Sequence, residues 1–154
     1  GHNRLGNGWF LPAGPLRETK NRLKSVDMII NNGAEAEGEI SSQIEAECYV
    51  NLLTNEKKEL NYFKTKKCLA VSGIGNPKNF HNLLESQGVN LITKVFPDHH
   101  TFSKNDITFK EDYPIIMTAK DCVKCRQFAT SNMWYLSVRA MISADFYQQL
   151  ESKL

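Results

Sequence analysis

Short polar motifs in this 154-residue chain contain residue types that handle phosphate and protons. Asp98-His99-His100 places an acid beside an imidazole, and such an acid can orient the ring and tune it as a base or a phosphate contact near neutral pH. Arg17-Glu18 places a planar guanidinium, which suits bidentate phosphate binding, beside a carboxylate. Plain interpretations stay open for both motifs: a solvated turn with two surface histidines, and an exposed helix start.

A glycine pair follows one predicted strand in the manner of a dinucleotide-binding loop. Asp98 lies roughly 25 residues after Gly73, near where a ribose-binding acid belongs. Lys78 occupies the position of the third glycine, which makes the signal weak, and Pro77 is explained equally well by helix initiation. A plain turn at Gly73 and Gly75 is therefore the favoured interpretation. The sequence contains no G-x-x-x-x-G-K-[ST], which excludes a self-contained P-loop nucleotide site.

The segment after another predicted strand combines a charged pair with two cysteines. Lys120 supplies a cation in a loop, and Asp121 is placed to cap the next helix, which favours capping over catalysis. Cys122 and Cys125 have the spacing of a metal or redox pair, but zinc needs four ligands and no second CxxC or HxxxH exists in the sequence. We therefore predict a structural role for both cysteines and a reduced cytosolic setting.

Composition excludes several classes of protein. Lys and Arg number 19 against 17 Asp and Glu, so the net charge of +2 does not demand a nucleic-acid partner. A hydrophobic content of 41% rules out a disordered chain and fits one domain or two small lobes. The apolar runs at 28–30 and 115–117 fall far short of the roughly 18 residues of a membrane-spanning helix. Because the chain begins with Gly1 rather than Met, we expect an excerpt of a longer protein.

An alternation of strands and helices positions these motifs. Strands are predicted at 26–31, 47–53, 68–72, 91–96, 114–118 and 133–138, and helices near 16–23, at 78–87, from 103, at 121–128 and at 143–154, with an acidic turn at 33–39 and a charged connector at 55–67. This alternation predicts an α/β fold with a mostly parallel sheet covered by helices. Ligands of such sheets bind outside the carboxyl ends of the strands, where the loops after Ser72, Phe96 and Met117 lie.

Longer stretches of the sequence resemble a known enzyme family. RLGNGWFLPAGPLRE, VDMIINNG, GIGNP, FPDHH, MTAKDCVKC and WYL occur in the order seen in tetraacyldisaccharide 4'-kinase, the inner-membrane-associated enzyme that phosphorylates the lipid A disaccharide in Gram-negative bacteria. The resemblance covers essentially the whole chain. It implies a P-loop-type kinase of two α/β/α lobes joined by a two-stranded hinge, using ATP and Mg²⁺.

The resemblance also implies an organisation for the chain. Residues 1–63 are expected to form the C-terminal part of the nucleotide-binding lobe with a hinge strand, 64–131 a smaller Rossmann-like α/β/α lobe, and 132–154 the return hinge strand and last helix. The family's phosphate-binding loop, catalytic acid and Asp-Asp-Gly-Phe-Gln stretch would lie upstream of Gly1. ATP and Mg²⁺ are therefore expected to bind mainly outside this chain, which alone is expected to be inactive.

Four residues match positions implicated in the family's active site. Arg17 and Glu18 match its LRE pair, and His99 matches the histidine of its DH motif, with Asp98 beside it. Arg17 is expected to stabilise phosphate charge, and Glu18 to tether Arg17 or a metal-bound water. His99, oriented by Asp98, is expected to support the base or the phosphoryl group.

The shared motif MTAKDCVKC is matched less closely. Lys120 and Asp121 match its lysine and aspartate without an assigned role, whereas Ala119 and Cys122 replace the commoner Glu and Ala. The departure at Cys122 further weakens a redox role for that thiol.

The expected partners follow from the resemblance: ATP and the disaccharide 1-phosphate precursor of lipid A, which would become lipid IVA, and no nucleic acid. The parent protein is expected at the cytoplasmic face of the bacterial inner membrane. Two alternatives remain open. In the first alternative, the chain is a non-catalytic remnant that binds the lipid precursor or a partner. In the second, it is a dinucleotide-dependent enzyme that uses residues 68–131.

Overall fold

A computed structural model describes residues 6–33 and 37–153 of the chain. The acidic turn predicted at 33–39 and the helix end predicted at residue 154 therefore lie partly outside the described residues. The chain divides into two compact units: unit 1 comprises 1–44 and 140–154, and unit 2 comprises 45–139. These limits fall inside two strands, whereas the sequence placed its lobe boundaries after 63 and 131, and that division stays a prediction.

The strands and helices occur in the following order. The strands are β1 (Ile30–Asn32), β2 (Ile40–Asn51), β3 (Lys57–Lys58), β4 (Lys67–Ser72), β5 (Asn90–Val95), β6 (Ile115–Thr118) and β7 (Met133–Ile142). The α-helices are α1 (Pro77–Ser86), α2 (Ala119–Cys125) and α3 (Ala144–Glu151), and short 3-10 helices span Lys20–Ser25, Lys104–Ile107 and Arg126–Phe128.

Unit 2 contains the mostly parallel sheet that the alternation of elements predicts. Its strands lie in the order β2-β7-β6-β4-β5, and β3 pairs antiparallel with β2. β4 pairs in parallel with both β5 and β6, and β6 pairs in parallel with β7. Leu69 of β4 aligns with Ile115 of β6, which in turn aligns with Met133 of β7. The α/β fold class is confirmed.

Helices cover both faces of this sheet. Successive side chains of a strand point to opposite faces, and on β4 they contact a different helix on each face. On β4, Ala70 packs in a cluster with Phe80 and Leu84 of α1. Its neighbour Val71 packs in a second cluster with Cys122 of α2. Five of the six β4 residues are buried, as expected for a central parallel strand with both faces covered.

The charged segment predicted as a connector carries part of the core. Phe63 is only 1% exposed and packs edge-to-face against Tyr49 at 4.8 Å and against Trp134 at 5.4 Å between ring centroids. The Tyr49 hydroxyl is buried and has no hydrogen-bond partner among the described residues. The prediction of a plain connector is therefore wrong at Phe63.

Unit 1 combines both ends of the chain. Ile30 and Asn32 of β1 pair in parallel with Ile40 and Ser42 at the start of β2. The helix predicted near 16–23 is instead the 3-10 helix Lys20–Ser25, none of whose residues is buried, so tertiary packing does not stabilise a longer α-helix there. No helix among residues 6–33 and 37–153 is long and apolar enough to cross a membrane.

Two other helices differ from the predictions. The helix expected from residue 103 is the single 3-10 turn Lys104–Ile107, which begins with a capping box between Ser103 and Asp106. The helix expected at 121–128 begins earlier, at Ala119, and continues from Cys125 as a 3-10 turn. α1 lies one residue earlier than the predicted 78–87, and Gly88 follows its C-cap in the left-handed conformation at φ 77°.

Candidate functional site

Three loops of unit 2 follow the carboxyl ends of neighbouring parallel strands. Ser72 at the end of β4 aligns with Val95 of β5, and Val71 aligns with Met117 of β6. The loop after β4 (73–76), the loop after β5 (96–102) and the first turn of α2 after β6 therefore begin at the same edge of the sheet. The candidate site lies at this edge, where an open α/β sheet binds its ligands.

Asp98 and Lys120 form the charged contact of this edge. The Lys120 Nζ lies 3.0 Å from the Asp98 Oδ1, and the backbone N–H of His99 donates to the same oxygen at 3.0 Å. The hydrogen bond from the Lys120 ammonium, followed in size by the one from the His99 N–H, lowers the pKa of the Asp98 carboxyl. Asp98 is therefore an anion at neutral pH, with Lys120 as its cationic partner.

His99 presents its imidazole to solvent. Its backbone has φ 63°, the left-handed region, and its side chain is 79% exposed. The ring Nε2 lies 3.7 Å from the Asp98 Oδ2, beyond direct hydrogen-bond distance. The ring is thus free to contact a ligand while it stays next to an anion.

The neighbouring His100 is a packing residue. Its ring stacks on Phe96 at 4.5 Å between centroids and meets the edge of Phe102 at 4.9 Å. The His100 Nε2 lies 3.4 Å from the Asp106 Oδ2, and its side chain is 26% exposed. The two histidines of the motif therefore differ: the interpretation as two surface histidines holds only for His99.

Asp121 does not cap α2, and that prediction is wrong. The N-cap is Thr118, whose Oγ1 accepts the Asp121 N–H at 3.2 Å. The Asp121 carboxylate is fully buried and accepts hydrogen bonds from the Gly73 N–H at 2.9 Å, the Thr118 hydroxyl at 2.8 Å and the Lys124 Nζ at 3.2 Å. Since burying a carboxyl group is unfavourable without such donors, these three contacts explain its place inside the protein.

The two glycines leave room for side chains of this chain. A Cβ on Gly73 would lie 3.2 Å from the Phe102 ring and 3.3 Å from the Asp121 Oδ1. A Cβ on Gly75 would lie 3.3 Å from the Asp98 Oδ2. These close approaches explain both glycines without a dinucleotide and support the plain-turn interpretation.

The cysteine pair lies on the buried side of α2 in unit 2. Cys122 and Cys125 are both buried and free, and burial raises the pKa of both thiols, that of Cys125 to about 11. Within residues 6–33 and 37–153, no group of three or more His, Cys, Asp or Glu side chains is placed to hold a metal ion. The burial of the two thiols fits the structural role that the sequence favours.

Arg17 and Glu18 lie in unit 1, and both are exposed. The Glu18 Oε2 forms an ion pair with the Arg22 Nε at 3.2 Å. Of the four residues predicted for catalysis, unit 2 thus brings Asp98 and His99 together, and unit 1 holds the other two. The catalytic roles of all four stay predictions.

Sequence reasoning missed the contact of Lys120 with Asp98 and the buried position of Asp121. A signal was available for the first contact, because both residues follow strands of one parallel sheet and so lie at one edge. Nothing in the local pattern distinguishes a buried Asp121 from an ordinary residue of a helix start, because its main donor, Gly73, lies 48 residues away.

Comparison with known proteins gives consistent matches. The sequence matches the family described as Tetraacyldisaccharide-1-P 4'-kinase over residues 1–154. A protein named Tetraacyldisaccharide 4'-kinase from Ruthia magnifica subsp. Calyptogena magnifica is 51% identical over 154 residues, covering 100% of this chain and 49% of that protein. One of the same name from Pseudomonas paraeruginosa is 44% identical over 153 residues, covering 97% of this chain and 46% of that protein.

A solved structure has the same fold. It is the crystal structure of an "apo" form of LpxK from Aquifex aeolicus in complex with ATP, with a TM-score of 0.66 and 22% sequence identity. The likeness covers 92% of this chain and 46% of that one. The chain thus spans about half the length of the relatives that it matches.

Proposed function

The chain belongs to the tetraacyldisaccharide-1-P 4'-kinase family, and from this premise we propose that it is part of an ATP-dependent kinase acting on a lipid. The reaction is transfer of the γ-phosphoryl group of ATP to the 4'-hydroxyl of the tetraacyldisaccharide 1-phosphate precursor, which gives lipid IVA. The observation that carries the proposal is the 51% identity over all 154 residues with a protein of that name. We further propose that the 154 residues alone are inactive.

The residues of this chain do not fit the whole of a nucleotide and metal site. The sequence has no P-loop motif, and no cluster of three or more potential metal ligands occurs among residues 6–33 and 37–153. Asp98 and Asp121 are both paired with lysine ammonium groups. We therefore assign the binding of ATP and Mg²⁺ mainly to residues outside these 154.

The contribution of this chain is a charged edge with one free imidazole. Phosphoryl transfer depends mainly on positioning and on stabilising negative charge. In this proposal His99 contacts the phosphoryl group or supports the base that takes the hydroxyl proton. Asp98 lies beside the His99 ring, and Lys120 fixes the Asp98 carboxylate. Arg17, in unit 1, carries a guanidinium of a type suited to phosphate.

A chimera tests the proposed activity. The half of the Ruthia magnifica protein that this chain does not match would be joined to these 154 residues, and transfer of labelled phosphate from ATP to the tetraacyldisaccharide 1-phosphate would be measured. We expect turnover by the chimera and none by the 154 residues alone. A folded, inactive chimera would instead favour a non-catalytic remnant, and turnover by the chain alone would contradict the need for a second half.

The role of His99 is tested in the same chimera. His99→Ala should lower kcat at least tenfold, equivalent to about 1.4 kcal/mol on the barrier. Lys104→Ala, in the exposed 3-10 turn that follows the same loop, is the matched surface control and should leave kcat unchanged. A His99→Ala chimera whose kcat stayed within threefold of the parent would remove His99 from the mechanism.

We also propose that the protein works at the cytoplasmic face of the bacterial inner membrane. The support is chemical: a substrate with four acyl chains resides in a bilayer, and ATP is cytoplasmic. Fractionation of cells that express the full-length protein should place it with inner membranes. Recovery in the outer-membrane fraction would contradict the proposal.

A further inference from the structure

Asp121 lies behind the proposed active site and touches the loops that form it. We propose that Asp121 is a positioning residue of the kinase reaction: its buried carboxylate ties the loop after β4 to the first turn of α2 and thereby places Lys120 against Asp98. The inference rests on the proposed function, because the reaction that Asp98 and His99 would serve is the one proposed above.

The carboxylate joins parts of the chain that are distant in sequence. Its Oδ2 accepts the Gly73 N–H from the loop after β4 and the hydroxyl of Thr118 at the end of β6. Its Oδ1 accepts the Lys124 ammonium, one turn further along α2. Thr118 and Lys124 lie three residues before and after Asp121, whereas Gly73 lies 48 residues away, so the carboxylate joins the loop after β4 to the N-terminal part of α2.

Two short segments connect Asp121 with Asp98. Lys120 precedes Asp121 in the first turn of α2, and its Nζ lies 3.0 Å from the Asp98 Oδ1. Gly75 belongs to the loop that Asp121 holds through Gly73, and a Cβ there would lie 3.3 Å from the Asp98 Oδ2. The carboxylate of Asp98 thus contacts α2 through Lys120 and lies close to the loop after β4, and Asp121 joins these two segments.

A third connection supports the base of the loop that carries Asp98 and His99. The Lys124 Nζ, bound to Asp121, lies 5.5 Å from the centroid of the Phe102 ring. Phe102 is 3% exposed and contacts the rings of Phe96 and His100 at 5.1 and 4.9 Å. Phe96 and Phe102 flank residues 97–101, so Lys124 supports the segment from which Asp98 projects.

A purely structural role makes a different prediction. An aspartate that only stabilised the fold would change the free energy of unfolding and leave the surroundings of Asp98 in the folded protein as they are. A positioning role requires that loss of the Asp121 charge loosen the contact between Lys120 and Asp98. The pKa of the Asp98 carboxyl reports this contact, because Lys120 is the largest cause of its lowering.

The experiment is a carbon-detected NMR titration of the aspartate carboxyl groups in the 154-residue protein. Lys120→Met should raise the Asp98 titration midpoint, and Asp121→Asn should raise it by at least half as much. The double variant should titrate like Lys120→Met alone, because both changes act on one contact. Asp112→Asn, which removes an exposed carboxylate paired with Asn132, should leave the midpoint unchanged.

Two further variants separate positioning from stability. Met133→Ala creates a cavity at the opposite end of the sheet and should lower stability without moving the Asp98 midpoint. Thr118→Val removes one donor to Asp121 and serves if Asp121→Asn does not fold; it should raise the midpoint by a smaller amount. An Asp98 midpoint that is unchanged in Asp121→Asn, or in Thr118→Val if Asp121→Asn does not fold, overturns the proposal. A midpoint that Lys120→Met does not move also overturns it.

The activity assay keeps this inference distinct from the proposed function. In the chimera, Asp121→Asn should lower kcat at least tenfold with little change in the KM for ATP, while Asp112→Asn leaves both constants unchanged. An inactive parent chimera refutes the kinase proposal and does not affect the titration. An active chimera whose kcat is unchanged by Asp121→Asn refutes the positioning role alone.

Discussion

Replacing Tyr49 by phenylalanine should stabilise the protein. Tyr49 is 0% exposed, and its hydroxyl has no hydrogen-bond partner among the described residues. A buried polar group without a partner costs about 1–3 kcal/mol. Its ring packs edge-to-face on Phe63 at 4.8 Å and 88°, a contact that phenylalanine keeps. The substitution therefore removes an unfavourable group and little favourable packing.

The net gain is estimated from two opposing effects. Relief of the unpaired hydroxyl contributes about 1–2 kcal/mol. The small gap left by one oxygen offsets this by about 0.3 kcal/mol at the usual cost per unit of cavity volume. We therefore expect Tyr49→Phe to raise the free energy of unfolding by about 1 kcal/mol, which corresponds to a rise of about 2–4 °C in Tm for a chain of this length.

The gain should grow at alkaline pH. Burial, together with the nearby Cys68, raises the pKa of Tyr49 to about 12 from its ordinary value of 10.0. Because the folded-state pKa exceeds the unfolded one, the titration of Tyr49 leaves the stability of the protein unchanged below pH 10 and lowers it as the pH rises towards 12. Phenylalanine does not titrate, so its advantage should increase by about 1.4 kcal/mol at pH 11.

Urea unfolding followed by far-ultraviolet circular dichroism, at pH 7 and at pH 11, measures both effects. Tyr62→Phe is the matched control, because Tyr62 packs against the same Phe63 but is 37% exposed, so its hydroxyl reaches water. It should change stability by less than about 0.5 kcal/mol. A Tyr49→Phe protein less stable than the parent would show that the hydroxyl is hydrogen-bonded in solution, and would refute the reasoning.

Three further predictions concern stability and thiol reactivity. Asn51→Ala should destabilise the protein by about 2–3 kcal/mol in urea unfolding, because the buried amide donates to the Ser131 carbonyl and accepts the Leu53 N–H; a loss under 0.5 kcal/mol would contradict this. Gly88→Ala should lower stability by about 1 kcal/mol, because residue 88 has φ 77°, and an unchanged Tm would count against it. With Ellman's reagent at pH 8, Cys48 should react before unfolding and the three buried thiols only afterwards; equal rates for all four would disprove the burial.

The parallel sheet could be predicted because its signals are local and mutually consistent. The apolar run at 68–72 is followed by a turn with Pro77, and Gly88 marks the helix end, so strand, helix and return each have their own signal. The parallel direction of these strands then follows from the segments that connect them across the sheet. The edge that carries Asp98 and Lys120 could be found in the same way.

Other features depend on contacts between distant residues. Phe63 lies in a segment rich in lysine, and only its packing against Tyr49 and Trp134 makes it a core residue. The local sequence predicts that Asp121 caps a helix, whereas in the structure its carboxylate is buried and accepts the Gly73 N–H. His100 resembles His99 in sequence, yet its ring is fixed by Phe96. A single sequence does not contain these pairings, because each is set by tertiary structure.

The division of the chain into units has a consequence for its synthesis. Unit 2 is one continuous segment, 45–139, whereas unit 1 needs residues 140–154 in addition to 1–44. Proteins are made from the N-terminus at about 5–20 residues per second, and domains tend to fold as units during synthesis. The residues around Asp98, His99 and Asp121 thus come from one continuous segment, whereas unit 1 is incomplete until 140–154 have been made. The contacts of the candidate site can therefore form before those of unit 1.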